Sequence, residues 1–214
     1  MAQVKYLVPA RGGSTGFPGK NAVLLPFVWK MFPEFHSYSC AISSDDENLL
    51  ATAPEKVTRI RRPEHLATNE AGMDDVMRHA AEVLELDPDD ILVTLYPTYI
   101  DRTIQEVHDV VHFLKKREAD HVLCAKPIDA EVYMTFQWTE NYQAKPTIKH
   151  EYYRRQDYPT CFESCPLVIA TRVCYLPMLG PRLYTPETLF FPLDRKPIDV
   201  DNLSDFVEWA RTCE

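Results

Sequence analysis

Glycine and long apolar runs are both scarce in this sequence. Only six of its 214 residues are glycine, and four of the six fall within positions 12–19. No stretch approaches the roughly 20 consecutive apolar residues that a membrane-spanning helix needs. The first residues run directly into a strand-like segment, without the apolar core of a signal peptide. We therefore expect no membrane partner and a cytoplasmic protein.

Positive charge is also in short supply. The chain has 23 lysines and arginines against 32 aspartates and glutamates, which gives a formal net charge of -9. A general nucleic-acid binder needs a basic footprint to neutralise backbone phosphates, so we expect no nucleic-acid partner. A small anionic ligand stays possible, provided that its site gathers several cations locally against the overall field.

The cysteines do not indicate a disulfide framework. Six are present, at positions 40, 124, 161, 165, 174 and 213, without paired CxxC spacing. A chain of this length buries roughly 70% of the surface of its unfolded form, and a core of that size needs no covalent staples. We expect mostly buried or free thiols within a single domain spanning residues 1–214.

Short apolar runs alternate with helical patterns along the chain. The runs predict strands at 4–8, 39–43, 91–95 and 121–125, and the patterns predict helices at 47–52, 73–86 and 103–117. This alternation indicates an α/β fold with a mostly parallel sheet flanked by helices. A segment from about 128 to 158, rich in aromatic residues, interrupts the alternation and is predicted to be an inserted arm.

A glycine-rich loop follows the first predicted strand. Between Ala10 and Asn21 it combines four glycines with Arg11 and Lys20. Glycines let backbone N–H groups approach phosphate oxygens, and the two cations would offset triphosphate charge. The spacing departs from the GxxxxGK[ST] pattern, which disfavours a P-loop kinase or ATPase. A flexible surface loop is the alternative explanation of the same residues.

A pair of aspartates lies near the end of the sequence. Asp199 and Asp201 flank Val200, so on an extended strand both carboxylates point to one face, where they could share a hard, oxygen-seeking cation. The alternative is a strand end that carries one solvated aspartate and one helix-capping residue.

Six segments together resemble one enzyme family. They read PARGGSTGFPGKN (9–21), ISSD (42–45), RRPEHLA (61–67), YPTYIDRT (96–103), RRQDYP (154–159) and PIDVDNLSDF (197–206). In this order they resemble the acylneuraminate cytidylyltransferases, which are the CMP-sialic acid synthetases and their relatives acting on other nonulosonic acids. The segments cover nearly the whole chain, and the first and last are the most specific.

The resemblance implies a Rossmann-like nucleotidyltransferase fold, a homodimer built through the arm, and attack by a sugar hydroxyl on the α-phosphorus of CTP. It also implies a set of site residues. The catalytic set is Arg11, Lys20, Asp199 and Asp201, of which the two aspartates would bind Mg²⁺. The nucleotide-binding set is Ala10, Gly12, Gly13, Ser14, Asn21, Arg62 and Ala71, and the set for the acidic sugar is Tyr96, Arg155 and Gln156.

The chain departs from the family pattern where the sugar would bind. Tyr96 stands in place of a glutamine, and Tyr99, Ile100 and Asp101 replace the usual Ser-Pro-Leu. We therefore expect an acceptor other than N-acetylneuraminic acid. The early helices also look trimmed, which predicts a reduced version of the fold. Two alternatives stay open: a transferase of the same fold that uses UTP or GTP, and a non-catalytic nucleotide-binding relative.

Overall fold

A seven-stranded mixed sheet forms the centre of the protein. The computed structural model describes residues 2–14, 16–34 and 40–212. The strands are β1 (Val4–Pro9), β2 (Cys40–Ser44), β3 (Thr58–Arg61), β4 (Ile91–Thr94), β5 (His121–Ile128), β6 (Phe136–Trp138), β7 (Ala144–Pro146), β8 (Cys161–Arg172) and β9 (Leu189–Pro192). The large sheet has the order β3-β2-β1-β4-β8-β5-β9, and β6 pairs only with β7.

All but one strand of the large sheet run in the same direction. The β1–β2, β1–β4, β2–β3 and β5–β9 pairs are parallel, and β8 is antiparallel to both β4 and β5. The predicted α/β fold with a mostly parallel sheet is therefore confirmed. In such sheets ligands bind beyond the carboxyl ends of the strands, which here places the loops after β1, β2 and β4 along one edge.

Five α-helices accompany the strands in the described residues. They are α1 (Lys20–Lys30), α2 (Glu47–Ala51), α3 (Met73–Val83), α4 (Ile104–Lys116) and α5 (Leu203–Thr212). Helix α4 matches its predicted range because Thr103 and Glu106 form a capping box at its start. Helix α3 ends before the predicted residue 86 because Glu85 takes a left-handed conformation, with φ of 50°.

Two elements lacked a clear pattern in the sequence. Helix α1 is apolar over much of its length and contains Pro26, so it shows little of the alternation that marks an amphipathic helix. Strand β8 contains Pro166, and its register against β5 shifts between Leu123 and Cys124. A proline and an irregular register both hide a strand from a period-two reading. Of the predicted strand at 39–43, position 39 lies outside the described residues.

Helices cover both faces of the sheet. On one face α4 contributes Val107, Val110 and Leu114 to a core with β4, β5 and β8. On the other face α3 packs Met77 and Ala80 on the same sheet. Among the described cysteines, none of which forms a disulfide, Cys40, Cys124 and Cys165 are buried. No helix within the described ranges is long and apolar enough to cross a membrane.

The segment between β5 and β8 stands out by its exposed aromatic side chains. It carries the β6–β7 hairpin, on which Trp138 is 79% exposed, and Phe136 is also exposed. A second group of aromatic rings, Tyr133, His150, Tyr152 and Tyr158, packs together with centroids 5.1–6.0 Å apart. The segment thus has a packed aromatic cluster beside exposed aromatic side chains, and Phe136 borders the same depression as Tyr133, His150 and Tyr158.

Candidate functional site

A cleft lies at the carboxyl ends of β1 and β4. Its volume is about 300 Å³. The residues that line it are Pro9, Arg11, Ser14, Gly16, Phe17, Lys20, Asn21, Arg62, Met73, Tyr96, Pro97, Thr98 and Asp201. A shallower depression of about 720 Å³ lies beside it, and Arg11 lines both. Gly12 and Gly13 lie in that depression.

The start of the glycine-rich loop is hydrogen-bonded to neighbouring segments. Buried Ala10 continues β1, and its N–H donates to the carbonyl of Ser43 at 2.9 Å. The N–H of Gly12 donates to Oδ1 of Asp45, also at 2.9 Å. Gly13 and Gly19 have φ angles of 70° and 72°, a region that other residues enter only with strain. These two hydrogen bonds attach the start of the loop to β2 and to the residue that follows it.

Arg11 makes its hydrogen bonds away from the cleft centre. Its Nη1 donates to the carbonyl of Thr68 at 2.9 Å, and its Nη2 donates to Oδ1 of Asn69 at 2.7 Å. The Arg11 carbonyl in turn accepts from Nδ2 of Asn21 at 2.7 Å. Arg11 therefore ties the start of the loop to residues 67–69, and Asn21 closes the loop on itself.

Arg62 supplies a buried positive charge at the cleft. It is 3% exposed, and its Nη2 and Nε donate to the carbonyl and the hydroxyl of Ser43 at 2.9 and 3.2 Å. Burial lowers the pKa of Arg62 to about 10, and the nearby Asp45 carboxylate opposes that shift. Arg62 remains protonated at neutral pH, so the cleft keeps a fixed cation whose direct partners are both uncharged.

Lys20 and Asp201 bring the two ends of the chain together. Lys20 is the first residue of α1, and its Nζ lies 3.5 Å from Oδ1 of Asp201. The Lys20 side chain is 16% exposed and that of Asp201 is 76% exposed. The Lys20 side chain is largely buried, whereas the Asp201 side chain is open to solvent. A ligand that enters the cleft can therefore replace Asp201 beside Lys20 without disturbing helix α1.

Apolar packing holds these distant segments in contact. Phe17 from the loop packs with Leu24 of α1, with buried Val200 and with Phe206 of α5. The rings of Phe17 and Phe206 have centroids 6.3 Å apart. Val200 is fully buried. Its burial fixes the short segment in which Asp199 and Asp201 lie on either side of it.

Asp199 does not line the cleft, and the extended segment 199–201 is shorter than a regular strand. Asp199 forms a single bridge with Tyr99, in the loop after β4. Its Oδ1 is buried and has no hydrogen-bond partner among the described protein groups. The predicted strand end at 199–201 is thus reduced to one bridge. No cluster of three or more His, Cys, Asp or Glu side chains that could hold a metal ion occurs in the described residues.

Tyr96 and the two phenylalanines of β9 take different positions. Tyr96 lines the cleft with Arg62 and Met73. Burial raises the pKa of Tyr96, with smaller electrostatic effects from Arg62 and Asp199. On β9, Phe190 is 40% exposed and faces a second depression of about 530 Å³ with Tyr184, whereas Phe191 packs on Phe113 at 5.5 Å.

Besides Ala10, Gly12, Gly13 and Asp199, three more predicted site residues do not line the cleft. Arg155 and Gln156 belong to a short 3-10 turn in the inserted segment and are exposed. Arg155 lies 3.6 Å from Glu131 of the same segment. Ala71 follows residues 67–69, and its N–H donates to the hydroxyl of Thr68 at 3.2 Å. Within one chain, the structure does not bring these residues into contact with the Lys20 side of the cleft.

The sequence did not reveal the contacts of several residues that shape the site, although Asp45 and Asp101 lie in segments quoted above. Asp45 fixes the loop through Gly12, although its place after β2 does mark it as close to the same sheet edge. Asp101 and Arg195 bond one another beside the Asp199 segment. An aspartate and an arginine that are 94 residues apart form no motif, and only the folded chain shows that they meet.

The charged side chains of the cleft suit a ligand that carries several negative charges and other polar groups. Three cations, Arg11, Lys20 and Arg62, converge on a space that also contains the Asp201 carboxylate. Cations and fixed N–H groups stabilise phosphoryl charge, and carboxylates attract divalent metal ions that phosphates also bind. Residues of these types can therefore bind the negatively charged groups of an anionic ligand.

Comparisons with known proteins agree on the fold. No protein-family model matches the sequence, and no curated protein matches it. Many solved structures do match. A CMP:2-keto-3-deoxy-manno-octonic acid synthetase complexed with CTP has a TM-score of 0.69 at 14% identity, over 99% of this chain and 98% of that one.

Two further solved structures are similar over most of their length. The 2-C-methyl-D-erythritol 4-phosphate cytidylyltransferase of Francisella tularensis gives a TM-score of 0.63 at 14% identity, over 99% of both chains. A cytidylyltransferase from Leptospira borgpetersenii gives 0.59 at 14% identity, over 96% of this chain and 84% of that one. The chain therefore has the α/β fold that is found in cytidylyltransferases.

Proposed function

We propose that the protein is a cytidylyltransferase that transfers CMP from CTP to a hydroxyl group of an acidic, nonulosonic-type sugar and releases pyrophosphate. The observation that carries the proposal is the convergence of Arg11, Lys20, Arg62 and Asp201 on one cleft at the carboxyl edge of the sheet. The similarity in fold to cytidylyltransferases, one of them a synthetase of a CMP-linked acidic sugar, supports it.

The proposed metal site consists of Asp199 and Asp201. The buried Oδ1 of Asp199 lacks a protein partner, and the Asp201 carboxylate is open to the cleft. Mg²⁺ is commonly held by one or two carboxylates together with substrate phosphates; Asp201 would offer its carboxylate from the cleft lining, and Asp199 would offer its unpartnered oxygen from the neighbouring buried position. Bound there, the ion would offset charge on the phosphates during transfer.

The other residues of the cleft position the reacting groups. We assign the triphosphate to Lys20, Arg11 and the loop N–H groups, and the base and ribose to the part of the cleft near Arg62 and Asn21. The acceptor oxygen attacks the α-phosphorus and the bond to the β-phosphate oxygen breaks. Pyrophosphate leaves, and the hydroxyl proton passes to solvent. Such transfers depend chiefly on alignment and on charge stabilisation, which these residues supply.

The acceptor would enter beside Tyr96. Its ring occupies the cleft border close to both Arg62 and Asp199, so the space there is narrower and more apolar than a glutamine would leave. Arg155 is on the exposed inserted segment, and it reaches an acceptor carboxylate in this proposal only if a second protein copy brings that segment to the cleft. The proposal therefore includes a homodimer.

The first test is a nucleotide panel. Pyrophosphate release is measured with CTP, UTP, GTP and ATP in the presence of Mg²⁺ and a mixture of acidic sugars. We expect release with CTP at least about tenfold faster than with any other nucleotide, because a missing base contact of 1–3 kcal/mol gives discrimination of that order. Faster release with UTP or GTP would support the alternative transferase, and none at all would support the non-catalytic alternative.

The acceptor arm of the same assay uses single sugars and detects the CMP-linked product by mass spectrometry. Legionaminic, pseudaminic, 3-deoxy-octulosonic and N-acetylneuraminic acids are compared. We expect N-acetylneuraminic acid to be a poor acceptor, because Tyr96 offers one hydroxyl on a bulky ring where a glutamine can both donate and accept hydrogen bonds. Efficient use of N-acetylneuraminic acid would contradict the role given to Tyr96.

The oligomeric state is tested by light scattering on the parent and on Trp138→Glu. We expect the parent to have twice the 24.8 kDa mass of the chain. The variant should shift toward the monomer, because Trp138 is among the most exposed apolar side chains of the inserted segment and a charge there disrupts an apolar interface. Val83→Glu on α3, at an exposed site outside that segment, is the control. A monomeric parent contradicts the homodimer.

A further inference from the structure

The turn that follows β4 forms one wall of the cleft, since residues 96–98 all line it. The N–H of Tyr99 donates to the carbonyl of Tyr96 at 3.4 Å and closes the turn. The carbonyl of Thr98 accepts from the N–H of Val200 at 3.0 Å. The position of this turn therefore sets the shape of the wall and holds the segment that carries the two aspartates.

The regular pairing of β4 with β8 stops just before this turn. Thr94, the last residue of β4, pairs with Ile169. Two more steps in the same register would place Tyr96 opposite Leu167. Pro166, the next residue of β8, has no backbone N–H. Strand β8 therefore has one donor fewer with which to extend the ladder toward the cleft.

Arg102 joins β8 to the turn at the point where the ladder ends. Its Nε donates to the carbonyl of Leu167 at 2.8 Å, and its Nη2 donates to the carbonyl of Tyr96. Two carbonyl oxygens cannot bond one another, so a donor must lie between them. The guanidinium is planar and its N–H groups have fixed directions. The two bonds therefore fix both the spacing and the orientation of the turn relative to β8.

The Arg102 side chain lies in the interior of the protein. It is 5% exposed, and its Nη1 has no hydrogen-bond partner among the described groups. Burial lowers the pKa of Arg102 to about 10, so the guanidinium stays charged at neutral pH. A buried charge with an unpartnered N–H costs free energy. Stability alone thus does not account for an arginine here, whereas the need to bond two carbonyls at once does.

We propose that Arg102 is a positioning residue that holds the Tyr96 wall of the cleft in place for the acceptor sugar. The inference rests on the proposed function, in which the acceptor enters beside Tyr96. Arg102 does not itself line the cleft, so it acts through the turn. A misplacement of about 1 Å in a group that positions a substrate can cost up to about 100-fold in rate.

The cations assigned to CTP are held by other segments. Arg62 is bonded to Ser43 of β2, and Arg11 is bonded to residues 67–69. Neither set of bonds involves the turn after β4. Loss of Arg102 should therefore weaken the use of the acceptor and leave CTP binding nearly unchanged, which is a pattern that general loosening of the fold does not produce.

The test compares the parent with Arg102→Met and Arg102→Lys. Transfer of CMP is measured at saturating CTP against rising concentrations of the acid that the parent converts fastest among legionaminic, pseudaminic, 3-deoxy-octulosonic and N-acetylneuraminic acids. We expect the KM for that acid to rise at least about tenfold in Arg102→Met, while the calorimetric dissociation constant for CTP stays within about twofold of the parent.

Arg102→Lys keeps the charge and one donor group, so its KM for the acid should lie between those of the parent and Arg102→Met. If Arg102→Met does not fold, Arg102→Lys carries the test, with an expected rise of at least about threefold. Amide hydrogen exchange in the peptide that contains Tyr99 should be faster in Arg102→Met than in the parent and should slow again in Arg102→Lys, because the turn is held less firmly without the guanidinium.

Arg172→Met is the matched control. Arg172 is the last residue of β8, and it also donates to two main-chain carbonyls, those of Ala119 and Asp89, at 3.3 and 3.2 Å. Neither residue lines the cleft. The control should keep the KM for the acid and the CTP dissociation constant within about twofold of the parent, even if its melting temperature falls.

The outcomes separate this inference from the proposed function. If the parent transfers CMP and the KM for the acid stays within about twofold in both Arg102 variants, the inference is overturned and the proposed function stands. A loss of CTP affinity as large as the loss of acceptor use also overturns it, because Arg102 would then support the whole cleft. A parent that transfers CMP to none of the four acids overturns both.

Discussion

Asp199→Asn and Asp201→Asn are each expected to reduce CMP transfer by at least about 100-fold, because a metal ion at a reacting phosphate contributes several kcal/mol of charge stabilisation. Asparagine keeps the shape of the side chain and removes the negative charge that attracts the cation. The loss should be in kcat at saturating CTP, measured by pyrophosphate release over a range of Mg²⁺ concentrations.

The fold should be unaffected by these two substitutions. The Asp201 side chain is 76% exposed, and Oδ1 of Asp199 has no protein donor to lose. Without metal, the melting temperature of each variant should therefore equal or exceed that of the parent. Asp109→Asn, on the exposed side of α4, is the matched control and should retain full activity. Near-parent activity in either cleft variant would remove the metal assignment, and a large drop in melting temperature would indicate a structural role.

Lys20→Met is expected to lower kcat/KM for CTP by about 100-fold or more, which is the usual cost of removing one preorganised group that stabilises transition-state charge. Lys20 begins α1, and its side chain is 16% exposed and directed to the cleft beside Asp201. Its charge meets phosphate charge that grows as pyrophosphate leaves. Loss should therefore appear in rate as well as in CTP affinity.

Lys30→Met provides the comparison for Lys20. Lys30 is at the other end of α1, with its ammonium 4.9 Å from the ring centroid of Phe27, and its removal should change CTP use by less than about twofold. Calorimetric titration with CTP separates binding from rate. Unchanged CTP affinity and unchanged turnover in Lys20→Met would mean that the loop is only a structural turn.

Local patterns were enough to predict elements whose signals are local. Helix α4 was predictable because its apolar stripe and its capping residues lie within 15 positions of one another, and the buried strands β1, β2, β4 and β5 because each is a short apolar run. Strand β8 was not predictable, since Pro166 and a register shift break its pattern. The antiparallel direction of β8 depends on its pairing with β4 and β5, which no single segment encodes.

The same distinction applies to the site. The glycine-rich loop and the Asp199–Asp201 pair are contiguous in sequence, so their chemistry could be predicted from residue type and spacing. The roles of Arg11 and Asn21 could not, because the partners of Arg11 lie at residues 67–69 and Asn21 binds the loop backbone. The separate positions of Phe190 and Phe191 could not be predicted either, because they depend on the two faces of β9.

The sequence by itself determined the α/β alternation, the glycine-rich, cationic composition of the first loop and the pair of carboxylates near the end, because each arises from residues that are close neighbours in the chain. Only the tertiary structure decided that Lys20 meets Asp201 and that Asp199 bridges to Tyr99. These contacts arise because Phe17, Val200 and Phe206 bury one another, and the burial of apolar side chains does not depend on their distance along the sequence.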